Sequence, residues 1–303
     1  MKISYRSALL LLVAAALVVA TQQAAAQKEY RKLAQTGMKF LSVGAAAREA
    51  AMADAFTSVD GSVTAMFFNT AGMAYMNSFA DAYIGRTEWL ADIKHIHGAI
   101  ALSPWNGDYG VLGVTIQFVD YGEVQSTILA RNAKGYLDVG TFKPSAYAIG
   151  IGYAKALTER FSVGGNVKFV NQNLGPSILD ASYVKDGAGL DSAYTADREV
   201  KDNMIDVPAF DLGVLYKTGF KSLAFGMTIR NFAREVAYIS EKFQLPLTFR
   251  IGLSMNVMDL FNIDRESQQL LLTVDAEHPR DFPEQLKVGV EYGFANTLAL
   301  RVG

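Results

Sequence analysis

Residues 161–173 read FSVGGNVKFVNQN. Phe161, Val163, Val167 and Phe169 fall on one parity, and Ser162, Gly164, Asn166, Lys168 and Gln172 on the other. A period of two is the mark of an extended strand with one apolar and one polar face. The same design recurs along the chain. Leu223, Phe225, Met227 and Ile229 oppose Ala224, Gly226, Thr228 and Arg230; Leu247, Phe249, Ile251, Leu253, Met255 and Val257 oppose Thr248, Arg250, Gly252, Ser254 and Asn256. Leu286, Val288, Val290 and Tyr292 likewise oppose Lys287, Gly289 and Glu291.

A soluble sandwich also alternates, but its outward face is usually rich in Lys, Glu and Thr. Here the second face holds glycine, alanine, serine and isolated charges of both signs. That chemistry predicts a crowded polar lumen, with the aliphatic face turned to lipid. Segments of about 10 residues also match the span of a tilted membrane strand. Pro144, Pro208 and Pro246 are read at strand starts, where a missing ladder donor is tolerated.

The pattern predicts eleven strands, over 79–89, 93–103, 109–121, 145–156, 161–173, 207–217, 222–231, 247–258, 268–276, 284–293 and 297–303. Their connections alternate in length. Short turns at 104–108, 157–160, 218–221, 259–267 and 295–296 answer long polar loops at 122–144, 174–206 and 232–246. Short periplasmic turns and long external loops are the outer-membrane arrangement. Bacterial barrels of one chain usually have an even strand count, because an open edge in lipid leaves ladder groups unpaired. An odd count ending in mid-pattern at Leu300-Arg301-Val302-Gly303 therefore leads us to expect a C-terminally truncated barrel. The fold class expected is all-β, a transmembrane antiparallel β-barrel.

Three regions follow. Lys2 and Arg6, the apolar run Ala8 to Ala20 and the small residues Ala24-Ala25-Ala26 predict a cleaved signal peptide over 1–26. Residues 27–78 lack alternation: Ala45 to Phe56 reads as a short helix, and Phe67 to Ala74 as a turn leading into a short helix or strand. A segment this apolar has to be buried, so we expect a helical plug inside the barrel, against the small residues Gly150, Gly152, Gly164 and Gly213. Residues 79–303 are the barrel.

Composition excludes several classes. A net charge of −2 argues against nucleic acid as a partner. With no cysteine there is no disulfide, thiolate metal site or cysteine nucleophile. His95 and His97, two apart on a strand, point to the same side, yet no third metal ligand is evident. No local motif supplies a serine–histidine constellation, so neither catalysis nor a cofactor is expected. The lumen charges are read as Lys168, Lys217, Arg230, Arg250, Asp275, Lys287, Glu291 and Arg301, either a paired network or an anion-attracting passage.

Two stretches carry a resemblance. FLSVGAAAREAAMADAF at 40–56 and SVTAMFFNTAGMA at 62–74 resemble the opening of the PorV/PorQ family, within the FadL-like barrels. Leu245 to Gly252, Val274-Asp275-Ala276, Val288 to Tyr292 and Leu298 to Gly303 also resemble it. Ala51 and Ala53 stand where that family commonly has glycine, and Thr70 where it has proline. The resemblance implies a barrel of fourteen strands with an N-terminal hatch, in which Asn69, Thr70, Ala71 and Gly72 form the hatch element. It implies a place in type IX secretion, with the translocon barrel or cargo C-terminal domains as partners. The wider fold implies the alternative, a transporter of a hydrophobic small-molecule ligand. In both cases outer-membrane lipid surrounds the barrel.

Overall fold

The computed structural model describes residues 36–129, 134–179, 199–238, 240–261, 268–295 and 297–303. The expected signal peptide at 1–26 lies outside the described residues, as does most of the 174–206 connection.

Fifteen strands form among the described residues. They are β1 (Ala80–Glu88), β2 (Lys94–Leu102), β3 (Val111–Asp120), β4 (Val124–Leu129), β5 (Tyr136–Phe142), β6 (Ser145–Ala156), β7 (Phe161–Leu179) and β8 (Glu199–Lys217). Then come β9 (Ala224–Phe232), β10 (Val236–Ala237), β11 (Lys242–Phe243), β12 (Thr248–Asn256), β13 (Gln268–Pro279), β14 (Gln285–Phe294) and β15 (Leu298–Val302). Eleven of them make one sheet in the order β1-β2-β3-β6-β7-β8-β9-β12-β13-β14-β15. Every pairing in it is antiparallel and joins strands that follow one another along the chain or are separated only by a hairpin. These are the eleven strands legible in the alternation.

Three expectations need correcting. The connections at 122–144 and 232–246 are not loops throughout but hold the hairpins β4–β5 and β10–β11. β7 and β8 run for 19 residues each, so β8 begins at Glu199 and Pro208 sits inside it. Pairing to β9 starts only at Phe210, so at Pro208 the strand has an open edge on that side and can spare a donor. Third, Ala45 to Phe56 is helical only over Ala47–Ala50.

The sheet curls. The Tyr83 hydroxyl of β1 donates to the Ala45 carbonyl at 3.0 Å, while Arg48, three residues on, binds Glu291 of β14. Flat, those two strands would lie roughly 43 Å apart at about 4.8 Å per strand, yet Ala45 and Arg48 can be separated by at most about 11 Å. Only a sheet rolled around the N-terminal segment brings both edges to it. β1 and β15 form its two edges, and no pairing joins them among the described residues.

The two faces differ as the alternation requires. β3 reads alternately buried and exposed along its whole length. The outer face presents a belt of Ile84, Ile100, Leu112, Val114, Ile116, Ile149, Ile151, Val167, Leu212, Ile251 and Leu253. Trp105, Tyr109, Phe220 and Phe294 gather at the short-turn end, and Trp89, Phe118, Phe169, Phe232 and Phe282 toward the long-connection end. An aliphatic band between aromatic girdles is how a barrel meets a bilayer.

Candidate functional site

The inner face is occupied by residues 36–76. Four short helical pieces, Lys39–Ser42, Ala47–Ala50, Val63–Phe67 and Thr70–Tyr75, carry the segment across the sheet. None is long enough to be stable alone, so burial against the wall must hold them. The lumen glycines make room. A Cβ on Gly152 would strike Met66, one on Gly164 the Thr70–Ala71 backbone, and one on Gly213 the Asn69 side chain. Gly150 behaves otherwise, because Thr115 and Asn166 of neighbouring strands fill its space.

Asn69, Thr70, Ala71 and Gly72 are all buried. Asn69 caps the piece after it, its Oδ1 accepting from the Ala71 amide at 3.2 Å. Its Nδ2 donates to the carbonyls of Thr57 at 2.8 Å and Val214 at 3.0 Å, so one amide joins two parts of the segment to β8. The Ala71 carbonyl accepts from Ser162 Oγ of β7 at 3.0 Å. Gly72 passes close to the Val59 carbonyl, where a side chain would collide.

All eight predicted lumen charges lie on the inner parity, and most are paired. Lys168 Nζ meets Asp211 at 2.8 Å and Asn231 Oδ1 at 2.5 Å. Arg250 binds Glu277 at 3.0 Å, and Lys287 reaches the same carboxylate at 2.5 Å. Glu291 sits between Arg48 at 2.7 Å and Arg301 at 2.5 Å. Lys217 pairs with Asp60 at 2.5 Å and lies over the Tyr75 ring. Asp275 accepts from the Thr57 amide at 3.0 Å and its hydroxyl at 2.6 Å. Arg230 rests against the Phe68 ring, 6.0 Å from its centroid. Asp211, Glu277 and Asp60 supply partner anions that the sequence reading does not name, and they reduce the cationic surplus of the lumen. Asp211 and Glu277 share the inner parity of their strands, which was the available signal.

Two apolar clusters flank this charged zone. Toward the short turns, Phe56, Val59, Val63, Met66, Phe67, Phe68 and Met73 pack on Ala99, Ala101, Val111 and Ala154. Toward the long connections, Met38, Phe40 and Leu41 pack on Val119, Ala146, Val170, Val207, Val236 and Leu245, with Tyr121, Tyr238 and Phe243 beside them. Tyr238 donates to Gln172 Oε1 at 2.9 Å. Burial, with Tyr121 nearby, pushes its phenol up to about 12. Lys39 pairs with Asp281, and burial lowers its ammonium below the ordinary lysine value.

Two cavities border the segment. One of about 380 Å³ opens among Asp60, Lys217, Ser222, Asn256, Gln269 and Glu291 near the short turns. The other, about 150 Å³, lies among Lys39, Arg250, Glu277, Asp281, Phe282 and Lys287 at the opposite end. His95 and His97 point inward together, but no group of three metal-ligating side chains occurs among the described residues.

Among solved structures, the chain resembles the toluene transporter TbuX of Ralstonia pickettii, at 14% identity over 85% of each chain and a TM-score of 0.53. At that identity the likeness shows the fold. No protein-family model matches the chain, and no curated protein matches it in sequence, so the PorV/PorQ resemblance has no second support.

Proposed function

We propose that the chain is an outer-membrane β-barrel that admits small hydrophobic molecules, with residues 36–76 as its hatch. The observation that carries this reading is the apolar cluster at the long-connection end. Greasy side chains of the hatch, the wall and the β10–β11 hairpin meet there, between the external connections and the polar lumen. Phe243 packs over Gly37 and stacks on Tyr238 at 5.4 Å, so the hairpin forms a lid on that cluster. The side chains gathered there are of the kind that line sites for apolar solutes. The likeness in fold to a toluene transporter supports the same reading. The outer belt and its girdles support the location in a bilayer.

Uptake of labelled toluene by cells expressing the chain tests the proposal. Uptake well above that of cells lacking the chain is expected, and a deletion of 39–76 that still assembles should change it. Equal uptake with and without the chain overturns the reading.

Type IX secretion is the second reading, and one observation favours it. β7 and β8 outrun the 9–11 residues a membrane strand needs and project the chain beyond the barrel, a platform for a protein partner. Recovery of a large translocon barrel or of cargo C-terminal domains with the purified chain, without toluene uptake, decides for it.

A further inference from the structure

His95 and His97 are used by neither reading, yet they are the most unusual titratable pair on the inner wall. Both are buried, at 3% and 1% exposure. Their rings lie parallel within 7°, with centroids 6.2 Å apart. Trp89 meets His95 edge-on at 6.3 Å, and Phe67 of the hatch meets His97 edge-on at 5.9 Å. A file of four rings thus runs from a half-exposed indole at the long-connection end to the hatch. Nδ1 of His97 is buried without a hydrogen-bond partner.

Among the described residues no counter-ion is paired with either ring. On β1 the register neighbours are Thr87 and Gly85, and on β3 they are Val119 and Gln117. Tyr83 of β1 and Tyr121, two residues beyond Val119, are the neighbouring phenols; Tyr83 donates to the Ala45 carbonyl and Tyr121 accepts from Gln172 Nε2 at 3.3 Å. Arg86, Glu88, Lys94 and Asp120 lie on the outward parity of their strands, and Asp92 is exposed. From the hatch, Arg48 is bonded to Glu291, and Glu49 is bonded through Oε1 to Thr64 Oγ1 at 2.6 Å, its Oε2 buried and unpartnered on the side of Tyr83. Asp81 is bonded to the Val63 amide, toward the other end of β1.

We propose that His95 and His97 form a proton-responsive latch between the wall and the hatch. Neutral, the two imidazoles stack and seat Phe67 in the apolar cluster. Imidazole takes up its proton between about pH 5 and 8 in ordinary surroundings. Two protons here would place like charges side by side in a buried site where, among the described residues, no carboxylate is bonded to either ring. Separating the rings relieves that repulsion, and the movement pulls away the surface on which Phe67 rests. The hatch then loosens at Val63–Phe67 while its ties at Asn69 and Asp275 remain.

The inference rests on the hatch reading, and its test is independent of uptake. The chain has two tryptophans, so Trp105→Phe leaves Trp89 as the sole reporter beside His95. Imidazolium quenches a neighbouring indole. Emission should therefore fall between about pH 7 and about pH 3, and amide exchange at 63–67, corrected for its intrinsic pH dependence, should accelerate at least roughly tenfold over the same interval. The double variant His95→Gln/His97→Gln should lose both responses. Unchanged protection at 63–67 in the native sequence overturns the latch, whether or not the double variant folds; so does a response that survives in that variant. A chain that titrates as described but carries no toluene overturns the transport reading alone. One that carries toluene without this titration overturns the latch alone.

Discussion

Ala53 has φ 53° and Asp54 has φ 59°, the left-handed region that side chains with a Cβ occupy at a cost. The resemblance already marked Ala53 as standing where glycine is common. Ala53→Gly should therefore raise stability by about 1 kcal/mol, read as a higher urea midpoint for the refolded barrel. An unchanged or lower midpoint would show that the strain is relieved elsewhere. Asp275→Ala acts in the opposite sense, leaving the Thr57 amide and hydroxyl without their partner inside the barrel. It should lower stability by about 1–3 kcal/mol in the same assay. Residue by residue, what the sequence reveals is what is local. The cap from Asn69 to Ala71 can be read two positions away, whereas the bond from Asn69 to Val214 spans 145 residues and leaves no periodic trace. Asp211 and Glu277 are intermediate. Their parity places them inward, but only the folded sheet shows which cation each meets.

Single strands are the most legible elements, because the lipid and the lumen each select one parity. Leu253 is 47% exposed on the outer belt. Leu253→Arg should cost about 2–4 kcal/mol near the bilayer midplane. Gln269, bordering the inner cavity of about 380 Å³, should accept arginine for under about 1 kcal/mol. Equal losses in a bilayer refolding titration would reverse the assignment of faces. Alternation fades where its cause ends. Beyond the aliphatic belt the exposed positions of β8 include Asp202 and Asp206, so the sequence marks the membrane-spanning parts of β7 and β8 and misses the extensions. The same absence hides the β4–β5 and β10–β11 hairpins inside what reads as polar loop.

Across the whole molecule, the sequence foretells a barrel wall but not how tightly that wall wraps its own N-terminus. Orientation can be tested directly, since a chain without cysteine accepts single labelling sites. A cysteine at Asp138, in the β4–β5 hairpin, should react with an impermeant maleimide on intact cells. One at Glu159, in a short turn, should react only after lysis. The reverse pattern would invert the barrel.

The segment that the sheet encloses also constrains the order of events during folding. Residues 36–76 leave the ribosome before the strands that cover them, so the bonds from Arg48 to Glu291 and from Thr57 to Asp275 await residues 243 and 218 positions later. Contacts so distant along the chain close slowly. Until β13 and β14 arrive, an apolar stretch containing Phe56, Met66, Phe67 and Phe68 has no wall to cover it. Assembly thus has a vulnerable interval set by the length of the chain, during which a holding chaperone would compete with aggregation for that stretch.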